Sequence, residues 1–487
     1  MKQREYFSSR WGLVIATLGI AVGTGNIWRF SRIVAQNGGG SFLIPWVIFL
    51  FFWSIPLIIA EFAIGKSTRY GPVGAIAKTA GPKFAWMGAF IALVSTAIMF
   101  YYSVVTGWCI RYLVSAVSGD LFSTQNHLQY WNDFSSTLLP VFYHFLAMLI
   151  GGIIIFRGVK NGIEKVNRIL VPAMIIILLV LLVRALLLPD AIEGIKYFFT
   201  PQKKYLLDIN VWLQALTQNA WDTGAGWGLI MTYAIYMKKK EDVSVNAALI
   251  GFGNNSISLI AGMIIFSTVF ALSSVDAMNQ ITQSGPANTG LTFIYLPLLF
   301  SKLSANESVN IFFASIFFLA LSFAAISSLI SLIELTTRTF IDFGFNRKKA
   351  VLIVTVSGFL LGVPSALNMD FFTNQDWVWG LGLLLSGAFI SFSIIRYGVD
   401  KFRTEIVNGP GSDIKIGKWY NVIIAYLVPL QVTVLIVWWL IESANWDPEW
   451  WNPFHTANVG TSVLQWSIAL AVFIFFNKSL VKYTLRE

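Results

Sequence analysis

Cysteine and histidine are scarce in this chain of 487 residues: Cys109 is the only cysteine, and His127, His144 and His455 are the only histidines. A single cysteine excludes a disulfide-stabilised fold. The histidines lie at spacings that match no metal-binding motif, so a zinc site is not expected. The sequence also has no nucleophile paired with a base and no phosphate-binding loop. It therefore predicts a protein that is not an enzyme and that has no organic cofactor.

Charged residues are few, at 12% of the chain, whereas 56% of the residues are hydrophobic and 15% are aromatic. The mean hydropathy is +0.68, too high for a soluble domain of this length. The apolar residues form runs of roughly 20 or more, long enough to cross about 30 Å of hydrocarbon as helices. Membrane β-barrels instead have short segments of alternating polarity. The composition therefore predicts an all-α polytopic membrane protein in contact with membrane lipid.

The apolar runs predict about twelve membrane spans in a single domain over residues 1–487. They lie near residues 11–33, 41–65, 85–115, 138–156, 168–188, 211–237, 245–272, 307–340, 350–366, 376–397, 419–442 and 460–477.

The formal net charge of +10 comes from basic residues in short loops between the apolar runs. Every second loop is basic, which by the positive-inside rule places these loops and both termini in the cytoplasm. The segments near 118–137, 189–208 and 273–306 would then face outward, and the last is long enough to fold over the outer surface. We therefore expect a multi-pass protein of the cytoplasmic (inner) membrane that does not bind nucleic acid.

Two spans are interrupted by glycine. Span 1 contains Gly19 and the segment 23–26, GTGN, and span 6 contains the segment 222–228, DTGAGWG. Several glycines within a few residues favour local unwinding, and unwound backbone in a membrane is tolerated only where it lines a cavity or is buried in protein. The interrupted spans are five apart, which predicts inverted repeats over about 11–188 and 211–397, with a peripheral pair over 419–477. Close helix packing is the alternative role for the glycines.

Asp222 lies near the middle of span 6, where a carboxylate costs about 2.5–3.5 kcal/mol and normally has a partner. A bound cation would be a natural partner. A structural ion pair or a side chain that reaches the membrane surface are the alternatives.

Around these glycines the sequence resembles the neurotransmitter:sodium symporter family, especially its bacterial amino-acid transporters. The similarity extends from about Arg4 to the end of the chain, and its most specific stretch is GTGNIWRF at residues 23–30, followed by NGGG at 37–40. Further matches are the paired tyrosines at 101–102 and FAAISS at 323–328. The resemblance implies transport of a small amino acid coupled to one or two sodium ions.

The resemblance implies two sodium sites. One site, between spans 1 and 8, would use the carbonyl oxygens of Gly19, Val22 and Ala324 and the hydroxyls of Ser327 and Ser328. The other, linked to the substrate, would use Ala21, Asn26, Asp222, Asn254 and the substrate's own carboxylate. Uncharged oxygen ligands suit a monovalent cation that must also leave its site.

The sequence departs from the family pattern at the substrate-linked site. The family usually has threonine or serine at the position of Asp222, Ser258 stands where chloride-independent members have glutamate, and Trp46 replaces a tyrosine that helps to bind chloride. We interpret Asp222 as the source of the missing negative charge, which predicts chloride independence. Asp222 could instead bind a proton in place of sodium.

The resemblance also implies a substrate pocket. Tyr102 and the backbone near Gly25 would hold the carboxylate. The other pocket residues would be Ala21, Ile98, Trp221, Asp222, Gly224, Trp227, Ser328 and Leu332. Gly23 stands where monoamine transporters have an aspartate that replaces the substrate carboxylate, so glycine favours an amino acid. The small residues Gly224 and Ala225 leave room for a hydrophobic or aromatic side chain.

Gating residues follow from the same resemblance. Arg29 and Asp376 would form an outer pair above the pocket, with Trp221 as an aromatic lid, and Arg4 and Asp342 an inner pair near Tyr236. The spacing of nine residues between a glycine at 162 and a proline at 172 matches a motif that permits unwinding of span 5.

These features together predict a sodium-coupled amino-acid symporter that works by alternating access and needs no obligatory protein partner. A proton-coupled transporter and a non-transporting amino-acid sensor are the alternatives.

Overall fold

The computed structural model describes residues 5–124, 126–272, 282 and 290–485. These residues form helices joined by short loops and contain no β-strand. Within the described ranges, nine uninterrupted helices are long and apolar enough to cross a membrane; we number the spans along the chain. They are span 2 (Gly40–Thr68), span 3 (Pro82–Ser118), span 4 (Leu139–Phe156), span 5 (Val159–Leu186), span 7 (Val243–Leu272), span 8 (Glu307–Asp342), span 9 (Arg347–Leu367), span 10 (Met369–Tyr397) and span 11 (Trp419–Trp446).

In the same described residues, spans 1 and 6 are each divided into two helices, and a bend follows span 12. Span 1 has the halves 1a (Arg10–Ala21) and 1b (Thr24–Gln36), which meet at an angle of 46°. Span 6 has the halves 6a (Ile209–Asp222) and 6b (Leu229–Ala234). Span 12 (Val459–Phe475) is followed after a 62° bend by the helix Asn477–Leu485. The described residues therefore confirm the predicted all-α architecture and the interruption of spans 1 and 6. By length and composition they hold nine to eleven spans, since the two short halves of span 6 are not counted among them.

Short helices connect the spans. They are Pro72–Thr79, Asp120–Phe122, His127–Ser135, Ala191–Phe199, Lys203–Leu206, Leu291–Tyr295, Leu296–Ser301, Val399–Lys401 and Phe402–Val407. Most of the segment 273–306 that we predict to cover the outer surface lies outside the described residues. The boundaries of the two repeats and of the peripheral pair remain a prediction.

Several helices extend beyond their predicted ends. Span 5 begins at Val159 rather than near residue 168, because polar residues in its first turns have hydrogen-bond partners elsewhere in the chain. Glu164, for example, is 2% exposed and accepts a hydrogen bond of 2.8 Å from the Ser8 backbone N–H. Span 10 begins at Met369 rather than near residue 376. Asn368 caps this helix, because its side-chain oxygen accepts a hydrogen bond from the Phe371 N–H at 2.7 Å. Hydropathy marks only the part of a helix that lies in hydrocarbon.

The break in span 6 has a clear local cause. Gly224, Gly226 and Gly228 have φ angles of 70°, 90° and 76°, a region that residues with a Cβ rarely adopt. The fully buried carboxylate of Glu61, on span 2, accepts hydrogen bonds from the Gly226 N–H at 2.6 Å and the Met231 N–H at 3.0 Å. A carboxylate on a neighbouring helix thus replaces hydrogen bonds that a continuous helix would have made.

Candidate substrate and ion site

A cavity of about 470 Å³ lies where spans 1, 3, 6, 8 and 10 meet. It extends from Ser328 and Gly23, at the helix breaks, to Trp446 and Ala457, between spans 11 and 12. Eleven spans separate residues 5–9 from the loop between spans 11 and 12. Because this number is odd, the loop lies on the face of the bundle opposite the one that carries residues 5–9. We call the face that carries residues 5–9 the N-terminal face, and the face that carries the loop between spans 11 and 12 the opposite face. The cavity is open toward the opposite face.

Most of the predicted pocket residues line this cavity. They are Ala21, Gly25, Tyr102, Trp221, Asp222, Gly224, Trp227, Ser328 and Leu332. Ile98 does not line it, because its side chain is completely buried between the helices. Ile20, Gly23 and Gln218, which we did not predict as pocket residues, also line the cavity.

One end of the cavity is suited to an anion. Half-helix 1b begins at Thr24, so its first N–H groups have no partners within the helix and carry the positive end of its dipole. The Tyr102 hydroxyl lies 3.4 Å from the Thr24 N–H. A Cβ placed on Gly25 would meet nothing within 4 Å, so the backbone there is open to the cavity. A carboxylate could accept hydrogen bonds from this backbone and from Tyr102.

The neighbouring wall is apolar and aromatic. The rings of Trp221 and Trp227 lie 5.9 Å apart in an edge-to-face arrangement, and the Trp227 indole donates to the Ala220 carbonyl at 3.1 Å. Leu332 and Ile20 complete this wall. Because Gly224 has no side chain, the wall leaves space for a large apolar group.

Backbone and hydroxyl oxygens converge between spans 1 and 8. The Ser328 Oγ lies 3.3 Å from the Gly19 carbonyl oxygen and 3.5 Å from that of Val22, and the Ser327 Oγ lies 2.9 Å from the Ala324 carbonyl oxygen. Oxygens around a hard cation of sodium's size stand about 2.3–2.6 Å from it, and therefore about 3.3–3.7 Å from adjacent ligands. The structure thus brings Ser328 to the Gly19 and Val22 carbonyls and Ser327 next to Gly19. Ala324 lies one helical turn before Ser327, and the chemistry of this oxygen set fits a sodium ion.

A second group of oxygens surrounds Asn254. Its Oδ1 accepts from the Asn26 Nδ2 at 2.7 Å. The same end of the Asn254 amide lies 3.1 Å from the Ala21 carbonyl oxygen and 3.0 Å from the Asp222 carbonyl oxygen. The Asn26 donor favours an oxygen at this position, while the two carbonyls favour a nitrogen. A cation between the three oxygens would remove this conflict. The set therefore also fits sodium. The Asn26 Oδ1 accepts a hydrogen bond from the Gly23 N–H at 2.8 Å and has a second lone pair available for a cation.

The Asp222 side chain lies among polar groups beside this second set. One carboxylate oxygen accepts from the Gln218 Nε2 at 3.3 Å. The other has no hydrogen-bond partner within the described part of the chain. Asn254 and Trp46 also interact with the carboxylate, while the Ser258 hydroxyl lies 2.9 Å from Asn26 Nδ2. The positions that the resemblance links to chloride are thus close to the aspartate.

The two predicted outer gate residues face the same cavity. The Arg29 guanidinium lies over the Trp221 ring, 4.5 Å from its centroid, and Asp376 lines the cavity on span 10. No ion pair of 4.0 Å or less joins these two residues in the described structure. This separation is consistent with a cavity that is open toward the opposite face.

The N-terminal face is closed by charged pairs. Arg338 binds Asp342 at 2.6 Å, and the Gly71 N–H donates to the same carboxylate at 2.6 Å. Arg347 binds the fully buried Glu334 at 2.6 Å. Arg4, the predicted partner of Asp342, lies outside the described residues, so that pair remains a prediction.

Tyr236, which we predicted to lie near the inner gate, is also on this face. Its hydroxyl donates to Glu334, and its ring meets the buried Phe7 ring edge-to-face at 6.3 Å. The Phe7 N–H donates to the Tyr236 carbonyl at 3.2 Å. The N-terminal segment is thus held against span 6b.

Two buried carboxylates that support the site also escaped our sequence analysis, namely Glu61 and Glu334. Each is a carboxylate within a long apolar span, the same signal that drew attention to Asp222. The signal was therefore available, although the partners lie far away in sequence.

Comparison with known proteins places the chain in a family. The model of the sodium:neurotransmitter symporter family matches residues 4–137 and 140–484. The chain belongs to the sodium:neurotransmitter symporter family. The predicted membership is thereby confirmed, as is the prediction of a sodium-dependent transporter rather than an enzyme.

Relatives of this symporter include an archaeal and an insect transporter, and a solved structure is similar to it as well. It is 32% identical to an uncharacterised sodium-dependent transporter of Methanocaldococcus jannaschii over 98% of both chains. It is 27% identical to the sodium-dependent serotonin transporter of Drosophila melanogaster over 95% of this chain and 80% of the relative. Its structure matches that of MhsT in complex with L-phenylalanine with a TM-score of 0.78 and 30% identity, over 89% of this chain and 99% of MhsT. The symporter fold is thus confirmed.

Proposed function

We propose that this symporter imports a neutral amino acid with a hydrophobic or aromatic side chain, driven by sodium and independently of chloride. It would lie in the cytoplasmic membrane with both termini, and hence the N-terminal face, in the cytoplasm. The cavity would then be open to the outside in the described conformation.

The observation that carries this proposal is the position of the free N-terminus of half-helix 1b. Thr24 and Tyr102 can hold a carboxylate at this point, and the second oxygen set, which includes the Ala21 carbonyl, lies next to it in the chain. A substrate carboxylate there would also be a sodium ligand. Because each would complete the other's site, sodium and substrate would bind cooperatively.

The apolar wall supports the substrate class. Trp221, Trp227 and Leu332 offer aromatic and aliphatic surface, and no carboxylate occupies the position of Gly23 to receive an amine. The related MhsT was solved with L-phenylalanine. These features favour an amino acid such as leucine, phenylalanine or tryptophan.

Sodium can supply enough energy for concentrative uptake. One ion that moves down about 100 mV gains about 2.3 kcal/mol, and a tenfold concentration gradient adds about 1.4 kcal/mol. Together these support accumulation of a neutral substrate by about 500-fold for each sodium ion.

The test is uptake of labelled leucine, phenylalanine and tryptophan into proteoliposomes in chloride-free buffer. We expect concentrative uptake with an inward sodium gradient and none when potassium or choline replaces sodium. Uptake driven by a proton gradient alone would instead establish proton coupling. Sodium-dependent binding without uptake under any gradient would support a sensor.

A substitution at Gly23 tests the carboxylate site. A Cβ at this position would lie 3.2 Å from the Tyr102 hydroxyl and 3.0 Å from the Ser328 Oγ. Gly23→Asp should therefore place a carboxylate where we expect that of the substrate. We expect amino-acid binding to weaken by about a hundredfold or more, in line with the cost of a like charge in a buried site.

Binding of labelled phenylalanine to purified protein measures this effect. Asn306→Asp is a suitable control, because it adds the same charge at an exposed helix N-cap outside the cavity. Undiminished phenylalanine binding by the Gly23→Asp variant would refute the assigned carboxylate position.

A further inference from the structure

Asn167 is a completely buried residue of span 5 that none of the site assignments above includes. It lies midway between Gly162 and Pro172 in the sequence, where span 5 packs against half-helix 1a. A polar side chain in this position needs a partner, because a buried amide without one costs free energy.

The orientation of the Asn167 side chain is determined by its surroundings. Its Nδ2 donates to the Ile163 carbonyl at 3.0 Å, so its Oδ1 is the atom that points elsewhere. That oxygen lies 2.7 Å from the position that a Cβ on Gly19 would occupy, and the Ser327 Cβ lies 3.3 Å from the same point. The Asn167 oxygen is therefore directed toward the oxygen group between spans 1 and 8.

The Asn167 Oδ1 accepts no hydrogen bond from any residue that the structure describes. The nearest hydroxyls have other acceptors, since Ser327 donates to Ala324 and Ser328 contacts the carbonyls of span 1. The Asn167 oxygen is thus a buried acceptor without a donor beside a group of oxygen atoms, an environment that suits a hard cation.

We propose that the Asn167 side-chain oxygen is a further ligand of the sodium ion between spans 1 and 8, so that span 5 binds the ion directly. This inference rests on the proposed sodium-coupled function. It also accounts for the absence of a side chain at Gly19, since a Cβ there would collide with the Asn167 oxygen.

The proposal links ion release to span 5. Pro172 has no N–H and therefore leaves the carbonyl of residue 168 without its helical partner, which weakens the helix next to Asn167. If this part of span 5 moves away from span 1, the ion loses one ligand while the other five stay in place. Movement of span 5 would thus lower sodium affinity.

The experiment measures sodium binding without transport. Purified protein is titrated with sodium chloride at constant ionic strength, with choline as the replacing cation, and its melting temperature is followed in the absence of substrate. We expect Asn167→Ala and Asn167→Leu to raise the half-saturating sodium concentration by about tenfold, the effect of losing one interaction with a charged group. Asn167→Asp, which keeps an oxygen in place, should stay at or below the wild-type value.

Asn310→Ala is a matched control. Asn310 is also a buried asparagine whose Nδ2 donates to backbone carbonyls, those of Ser301 and Ser304, while its Oδ1 has no partner in the described part of the chain. It lies at the start of span 8, about five helical turns before Ser327. This variant should melt at a lower temperature yet keep the wild-type sodium dependence.

Three results are decisive. An unchanged half-saturating sodium concentration in Asn167→Ala or Asn167→Leu overturns the assignment of Asn167 as a ligand. If both variants fail to fold, Asn167→Ser is measured instead, because the serine side chain is too short for its oxygen to reach the ion. A weakened sodium response in this variant supports the assignment, and a wild-type response overturns it. A wild-type protein that sodium does not stabilise would overturn the proposed function itself.

Discussion

Replacing Asp222 with serine should convert chloride-independent transport into chloride-dependent transport. The aspartate is 5% exposed, and Gln218, Asn254 and Trp46 surround its carboxylate with polar groups. Removing the charge from such a site costs about 3 kcal/mol or more, so uptake in chloride-free buffer should fall by about a hundredfold. Chloride could then occupy the space of the lost carboxylate and restore uptake.

The measurement is sodium-driven amino-acid uptake with gluconate or chloride as the anion. Asp133→Ser is a suitable control, because Asp133 is an exposed carboxylate that accepts a hydrogen bond from Gln129. The double variant Asp222→Ser with Ser258→Glu should regain chloride independence, since it returns a carboxylate to the same site. A single variant that stays fully active without chloride would show that Asp222 has another role.

Removing the carboxylate of Glu61 should abolish substrate binding, although Glu61 does not line the substrate cavity. Glu61→Ala leaves the N–H groups of Gly226 and Met231 buried without an acceptor. Each such group costs about 1–3 kcal/mol, so the unwound segment of span 6 would lose about 2–6 kcal/mol of stabilisation. Because Trp227 lies within this segment and Trp221 just before it, we expect substrate binding to be lost and the melting temperature to fall.

Melting temperature and phenylalanine binding of the purified protein test this prediction. Glu61→Gln keeps one acceptor oxygen and should give an intermediate effect. Glu193→Ala, which removes an exposed carboxylate that binds Lys196 at 2.7 Å, should change neither quantity. Wild-type binding by Glu61→Ala would mean that the glycine segment holds its shape by itself.

The sequence predicted the architecture well because the membrane imposes simple requirements. A span needs about 20 apolar residues, and each of the twelve runs meets this need. Glycines marked the breaks in spans 1 and 6, since they weaken a helix wherever they cluster. Helix ends were predicted less well: span 5 starts nine residues earlier than expected, because residues such as Glu164 form buried polar contacts that hydropathy does not detect.

The site was predicted unevenly. Residues in or next to the breaks, such as Gly25, Asp222 and Gly224, stood out by their unusual composition and by resemblance to a family. Glu61, Glu334 and Asn167 are single polar residues within apolar helices, and their partners are distant along the chain. Ile98 belongs to the same helix as Tyr102 but does not line the cavity.

The sequence alone determined that this protein crosses a membrane as about twelve helices, that two of them are broken and that its relatives are sodium-dependent transporters. These properties depend on local composition and on motifs, which can be read along the chain. Only the tertiary structure decided which oxygens converge, which carboxylate supports the unwound part of span 6 and to which face the cavity opens. Such properties depend on contacts between residues more than a hundred positions apart, as between Glu61 and Gly226, and on the orientation of each side chain.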